Sequence, residues 1–137
     1  MSLVQRDFVR RLIEQLSQFV ARITGLVNER RFEQALELVQ QTEIELVGPL
    51  APTLEAVDGA TVLVLLGSTD KLRIFSLLAA QRATLLSMNG QPAERAARRA
   101  LELYAVLERR MPLEEIDAQA RDAAAAVLDG RGAPRGQ

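Results

Sequence analysis

Apolar residues recur every three to four positions along most of this chain, which is the spacing of one face of an α-helix. The pattern is strongest over residues 4–27, where polar side chains occupy the opposite face. This apolar stripe is wider than the two-position seam of a coiled coil, so it predicts a long helix buried in a bundle. Its members are Val4, Phe8, Val9, Leu12, Ile13, Leu16, Phe19, Val20, Ile23, Leu26 and Val27.

Four further helices follow from the same periodicity and from the residues that begin and end them. We predict them over about 31–47, 69–88, 91–111 and 113–128. Gly48-Pro49 ends the 31–47 helix, because proline cannot continue a helix, and Ser68-Thr69-Asp70 supplies an N-cap for the 69–88 helix. Asn89-Gly90 ends the 69–88 helix, Pro92 suits the first turn of the 91–111 helix, and Pro112 separates that helix from the 113–128 helix.

The 113–128 helix has an alanine-rich apolar stripe, which buries little area. We therefore expect this helix to dock weakly on its neighbours.

Residues 48–67 contain prolines and glycines at intervals too short for long helices. We predict short helices near 52–57 and 60–66, joined by a turn at Asp58-Gly59. The alternative is a buried β-strand over 61–66, which its valines favour. No second segment offers a strand to pair with it, so the helical interpretation is preferred.

Together these elements predict an all-α protein of about five main helices arranged as antiparallel pairs. We expect residues 1–128 to form a single helical domain and residues 129–137, which lack periodicity, to form a flexible C-terminal tail. Hydrophobic residues make up 48% and charged residues 26% of the 137 positions, which is close to the globular average and therefore predicts an ordered chain.

The amino-acid composition restricts the available chemistry. The chain has no cysteine and no histidine, which removes thiolate catalysis, Zn–Cys sites, the commonest general base and the commonest transition-metal ligand. Catalysis would have to use carboxylates, hydroxyls, Tyr104, Lys71 or arginines. We therefore predict a non-enzymatic protein with no catalytic residue, no cofactor and no bound metal.

Charge and hydropathy also restrict the partners and the location. The 17 basic and 18 acidic side chains give a net charge of −1, which removes a bulk electrostatic argument for nucleic-acid binding. The longest purely apolar run, Val62–Leu66, is far short of the ~20 residues that span a membrane. Charged residues interrupt the first 14 positions, so no secretory signal is expected. A cytoplasmic protein without a membrane partner is the resulting expectation.

Two local patterns suggest ligand chemistry, and both are better explained by structure. Gly67-Ser68-Thr69-Asp70-Lys71 lacks the G-x-x-x-x-G-K-[ST] spacing of a phosphate-binding loop. Glu33 and Glu37 share a helical face, but a di-metal site in a bundle also needs histidines. We interpret the first as a helix cap and the second as solvated charge.

The segment Phe19-x-x-Arg22-Ile23-x-x-Leu26 … Phe32-x-x-Ala35-x-x-x-Val39 resembles a tetratricopeptide repeat, a helix pair of about 34 residues. Phe19 stands at the tryptophan position of that motif, and Ala35 and Val39 stand at the small and large positions of its second helix. Arg22 and Ile23 replace the leucine and glycine of the motif.

A second helix pair shows part of the same pattern. Ala100-x-x-x-Tyr104 followed by Pro112 is similar to the small, aromatic and proline positions that end the repeat. The opening segment, residues 5–16, resembles the start of an uncharacterised bacterial protein family of the same helical type. These resemblances imply helical hairpins and a protein-binding role.

The candidate partner contacts are arginines, because a guanidinium binds carboxylates and phosphates in a bidentate manner. They are Arg95, Arg98 and Arg99 in the predicted 91–111 helix, with Arg6 and Arg10 in the 4–27 helix. The alternative is a solvated helix face on each helix, which the interleaved Glu94, Glu102 and Glu108 favour for the 91–111 helix. We predict a helical protein–protein interaction module whose partner is a protein, a second copy giving a homodimer being one option.

The alternative function is a small-ligand-binding or regulatory helical domain. Its ligand would occupy an apolar cavity between helices, lined by the four phenylalanines Phe8, Phe19, Phe32 and Phe75.

Overall fold

The computed structural model describes residues 3–130 of the chain and, within them, the side chains from Gln5 onward. These residues form eight α-helices and no strand, which confirms the all-α prediction. The helices are α1 (Leu3–Glu14), α2 (Leu16–Asn28), α3 (Phe32–Val47), α4 (Ala51–Ala56), α5 (Gly59–Leu66), α6 (Thr69–Met88), α7 (Glu94–Glu108) and α8 (Glu115–Leu128), with a 3-10 turn at Gly48–Leu50. Residues 131–137, most of the predicted tail, lie outside the described residues.

The single helix predicted over 4–27 is wrong in one respect, because the structure divides it at Gln15 into α1 and α2. The backbone N–H of Gln15 still donates to the Arg11 carbonyl at 3.0 Å, and that of Phe19 to the Gln15 carbonyl at 2.9 Å. The apolar periodicity therefore continues across the break. No proline or glycine marks it. We attribute the break to packing, since α1 contacts both α3 and α6 whereas α2 packs mainly on α3.

The short helices α4 and α5 confirm the helical interpretation of residues 48–67, and the strand alternative is wrong. Asp58 caps α5 by accepting a hydrogen bond from the Thr61 N–H at 2.8 Å, and Gly67 ends it in the left-handed region at φ +80°. The predicted 69–88 helix is confirmed, and Ser68 caps it by accepting from the Lys71 N–H at 3.1 Å.

The helix predicted over 91–111 is shorter in the structure, where α7 runs from Glu94 to Glu108. The predicted start at residue 91 is wrong, because residues 89–91 form the C-terminal cap of α6. The Gln91 N–H donates to the Leu86 carbonyl at 2.8 Å, and the Gly90 N–H donates to the Ser87 carbonyl at 3.1 Å. With Gly90 at φ +72°, this is a Schellman cap, so Pro92 precedes α7 instead of lying in its first turn.

The helix α6 lies at the centre of the fold and packs against α1, α3, α5, α7 and α8. Every residue from Lys71 to Leu78 is buried, so this half of α6 has no solvent face. The buried stretch includes three polar residues. The Ser76 hydroxyl donates to the Leu72 carbonyl of its own helix at 2.7 Å. Burial lowers the pKa of Lys71.

The third buried polar residue, Arg73, joins α6 to α8 through an ion pair. Its Nε donates to Oδ2 of Asp117 at 2.9 Å, and Asp117 is fully buried. A second contact, from Arg73 to the exposed carboxylate of Glu114, measures 3.3 Å. Burial raises the pKa of Asp117, and Arg73 opposes that rise. Burial and the Asp117 carboxylate also raise the pKa of the buried Tyr104 on α7, which keeps its hydroxyl neutral.

The expectation that α8 docks weakly is therefore wrong. The alanines Ala120 and Ala124 are buried, and α8 packs along both α6 and α7. The additional attachment comes from Asp117, whose role the sequence did not indicate, because an acidic residue in the first turn of a helix is commonly a solvated dipole partner.

We expect Asp117→Ala to lower the free energy of unfolding by about 3–5 kcal/mol, because it removes the buried partner of the Arg73 guanidinium and leaves only the exposed Glu114 carboxylate. Urea denaturation followed by circular dichroism measures this change. Glu114→Gln is the matched control and should cost about 0–1 kcal/mol, since the Glu114 side chain is 66% exposed. Equal small losses in both variants would contradict this assignment.

Candidate functional site

A groove runs along the surface between α3, α4, α6 and α7, and we call it the arginine groove. Its basic half has a volume of about 670 Å³ and is lined by the charged residues Glu55, Arg82, Arg95, Arg98, Arg99 and Glu102. Its apolar half has a volume of about 380 Å³, with Leu36, Ile44, Ala51 and Leu86 among its lining residues. The two halves share Glu55, Arg82 and Leu86, so they form one continuous surface.

Helix α7 supplies three of the arginines because of its sequence spacing. Arg95, Arg98 and Arg99 are three and four residues apart, which places them on one side of a helix. The buried side of the same segment carries Ala97 and Ala100, both fully buried. Such small residues let α7 approach α6 closely, and this brings the α7 arginines next to Arg82 and Leu86 of α6.

Arg99 has contacts inside the fold. One nitrogen, Nη1, lies 2.7 Å from Oε1 of Glu102, and the other, Nη2, donates to the Leu54 carbonyl at the α4 helix. The second oxygen of Glu102, Oε2, accepts a hydrogen bond from the Gly59 N–H at 2.9 Å. The pair therefore attaches both α4 and the start of α5 to α7. The hydrogen bonds that Glu102 accepts from the Gly59 N–H and from Arg99 lower the pKa of its carboxyl group.

Gly59 lets the start of α5 lie close to α7. A Cβ at this position would lie 3.0 Å from Cγ2 of Val106 and 3.1 Å from Cγ of Glu102. The absence of a side chain lets the Gly59 N–H reach the Glu102 carboxylate directly.

Arg82 faces two carboxylates, because Glu43 and Glu55 also line the groove. Burial raises the pKa of Glu43, and the nearby charge of Arg82 lowers it. Arg82 itself is exposed and forms no ion pair or side-chain hydrogen bond within the described residues, so Glu43 offsets its charge only in part.

Arg95 and Arg98 differ from Arg99. Both are exposed, and neither forms an ion pair or a side-chain hydrogen bond with any residue in the described range 3–130. They are one helical turn apart, at the rim of a groove whose other wall carries Leu86 and Pro92. The groove therefore presents two adjacent uncompensated guanidinium groups beside apolar surface.

The structure brings together three of the five arginines proposed from the sequence and separates the other two from them. Arg6 and Arg10 lie on α1, which does not line the groove, and the Arg10 guanidinium lies 3.5 Å from the Asp7 carboxylate. Sequence reasoning missed Arg82. It lies on α6, apart from the α7 cluster, and no local pattern in the sequence marks it.

The four phenylalanines of the alternative function do not line one pocket. Phe8 and Phe19 line a pocket of about 260 Å³ together with Gln15, Gln18 and other polar residues. Phe32 and Phe75 are not part of that pocket. The Phe32 ring packs under the Arg30 guanidinium, 5.9 Å from the ring centre, and Phe75 lies in the core.

No protein family, curated protein or solved structure matches this chain. None of the helices within residues 3–130 is long and apolar enough to cross a membrane. Over the same residues, no three acidic side chains converge closely enough to hold a metal ion.

We expect the neighbouring arginines Arg98 and Arg99 to differ sharply in their effect on stability. Arg99→Ala removes partners from Glu102 and from the Leu54 carbonyl, so it should lower the free energy of unfolding by about 1–3 kcal/mol. Arg98→Ala, the matched control, should change it by less than about 0.5 kcal/mol, because Arg98 has no partner in the described residues. Denaturant melts of both variants test this, and a loss in Arg98→Ala equal to that in Arg99→Ala would refute it.

The lowered pKa of Glu102 predicts a pH-dependent contribution to stability. The fold favours the ionised carboxylate, so the contribution is present above the ordinary pKa of 4.5 and is lost as the pH falls through the lower folded value. The difference in unfolding free energy between wild type and Glu102→Gln should be constant above about pH 5.5 and should shrink below pH 4.5. Urea melts between pH 3 and pH 7 measure it. A difference that stays constant down to pH 3 would rule out this role for Glu102.

Proposed function

We propose that this protein is a non-enzymatic helical protein–protein interaction module, and that the arginine groove is its partner-binding surface. The observation that carries the proposal is the pair of unpartnered guanidinium groups, Arg95 and Arg98, beside the apolar wall of the groove. Uncompensated charge next to exposed apolar area is typical of a surface that a partner covers.

The tetratricopeptide-like pattern of the sequence supports the same proposal. Stacked helix hairpins commonly bind partners along the grooves between helices. Consecutive helices here are joined by short connections, such as the three residues between α2 and α3, and several consecutive pairs pack against each other: α2 on α3, α6 on α7, and α7 on α8. The net charge of −1 and the absence of cysteine and histidine also favour a cytoplasmic binding protein over an enzyme or a nucleic-acid-binding protein.

Site-specific photocrosslinking tests this function. A benzoyl-phenylalanine at position 96 places the reactive group in the groove, because Ala96 lies between the two free arginines and lines the basic half. The protein is irradiated in a lysate of its source cells in three forms: unaltered at the arginines, with Arg95→Glu and Arg98→Glu, and with Arg109→Glu and Arg110→Glu. The last pair is the matched control, since these exposed arginines follow α7 at the end remote from the groove.

We expect specific adducts that fall about tenfold or more on charge reversal at 95 and 98 and persist in the control, because opposite charges steer and hold the partner. An adduct of twice the mass of the chain would identify a second copy as the partner. Circular dichroism of each variant verifies folding. Adducts that are equal in all three forms, or absent from all, would refute the groove as the binding surface.

A further inference from the structure

The arginine groove carries more positive than negative charge where it is open. Four arginines and two glutamates line its basic half, and Glu102 is already engaged by Arg99 and the Gly59 N–H. Arg82 lies near Glu43, whose pKa its charge lowers, and it shares the groove with Glu55. The positive charge available to a ligand is therefore greatest at Arg95 and Arg98, beside the partly offset charge of Arg82.

The spacing of Arg95 and Arg98 suits two neighbouring acidic side chains on one edge of a peptide. Side chains three residues apart on a helix have Cβ atoms about 5–6 Å apart, and like charges at this spacing repel each other. A partner with two acidic side chains on one edge would pair with both guanidinium groups and relieve that repulsion. Such charge-assisted hydrogen bonds are short and strong, and guanidinium binds carboxylates bidentately.

The apolar half of the groove adds a second requirement. Ile44 is 57% exposed, an unusually large value for isoleucine, and it faces the same channel as Leu36 and Leu86. This half has a volume of about 380 Å³, which is suited to a few apolar side chains and not to a folded domain. The occupant thus needs apolar side chains at one end and acidic side chains at the other.

Nucleic acid fits this surface poorly. A nucleic-acid site neutralises many phosphates along a broad basic face. Here the exposed basic charge of the groove is limited to Arg82, Arg95 and Arg98 and lies beside Glu55 and Glu102, in a chain of net charge −1.

We infer that the arginine groove binds a linear protein segment that combines apolar side chains, placed against Ile44 and Leu86, with acidic side chains, placed against Arg95 and Arg98. This inference rests on the proposed function and specifies the chemistry of the partner.

Selection from a display library of random dodecapeptides tests it. The full chain is the bait, in wild-type form and with Arg95→Glu plus Arg98→Glu, Ile44→Ser, or the control pair Arg109→Glu plus Arg110→Glu. Peptides selected by wild type should be enriched in Asp or Glu together with Leu, Ile, Val or Phe. The best of them, measured by fluorescence anisotropy, should bind the 95/98 variant at least tenfold more weakly and the control variant equally well.

Two further arms separate the contributions of charge and apolar contact. Ile44→Ser should weaken the same peptide severalfold without changing its salt dependence, whereas replacing the acidic residues of the peptide by Gln or Asn should remove most of that dependence. A single-stranded oligonucleotide serves as a polyanion without apolar side chains. Its binding to wild type more tightly than the peptide, with the same loss in the 95/98 variant, would overturn the inference.

Enrichment of neutral or basic peptides, or no enrichment, would also overturn it. These results leave the proposed function intact if the photocrosslinked adducts still depend on Arg95 and Arg98. Adducts independent of both arginines would refute the proposed function itself, whatever the peptides show.

Discussion

The rest of the structure depends on the burial of the first half of α6. From Lys71 to Leu78 this helix is enclosed by its neighbours, so its polar residues must be satisfied inside the protein. A buried guanidinium without a counter-charge costs several kcal/mol, which makes the Arg73–Asp117 pair a requirement for the position of α8. The pair sets geometry more than it adds net stability, because its Coulombic attraction is offset by the desolvation of both groups.

The arginine groove forms where α6 leaves this enclosure. Arg82 is exposed and Leu86 is half-buried, and these residues lie in the second half of the helix. There, α7 approaches α6 through alanines, while Arg99 and Glu102 attach α4 and α5 to α7. The walls of the groove are thus placed by interactions within the fold, and the free arginines on its rim are held in position by a helix whose opposite side is well packed. Such preorganisation would reduce the entropic cost of the partner binding proposed above.

Most helices were predictable from the sequence because their apolar periodicity and caps are local signals. The features that the sequence did not reveal depend on contacts between distant segments. The break at Gln15 leaves the periodicity intact, and the cap that uses Gln91 depends on the end of α6. The burial of Asp117 depends on a partner 44 residues away. Likewise, the sequence identified the α7 arginines as a cluster, but it could not show that Arg99 is half-buried and paired, or that Arg82 joins the others.

The division of roles between neighbouring arginines of α7 has a consequence for the evolution of this protein. Arg99 supports the fold, since it contacts the Leu54 carbonyl and Glu102. Arg95 and Arg98 form no such contacts within residues 3–130. Under the proposed function, substitutions at the latter two positions would alter specificity with little loss of stability. A duplicated copy of the gene could therefore acquire a new partner through a few changes on this rim while keeping the same scaffold.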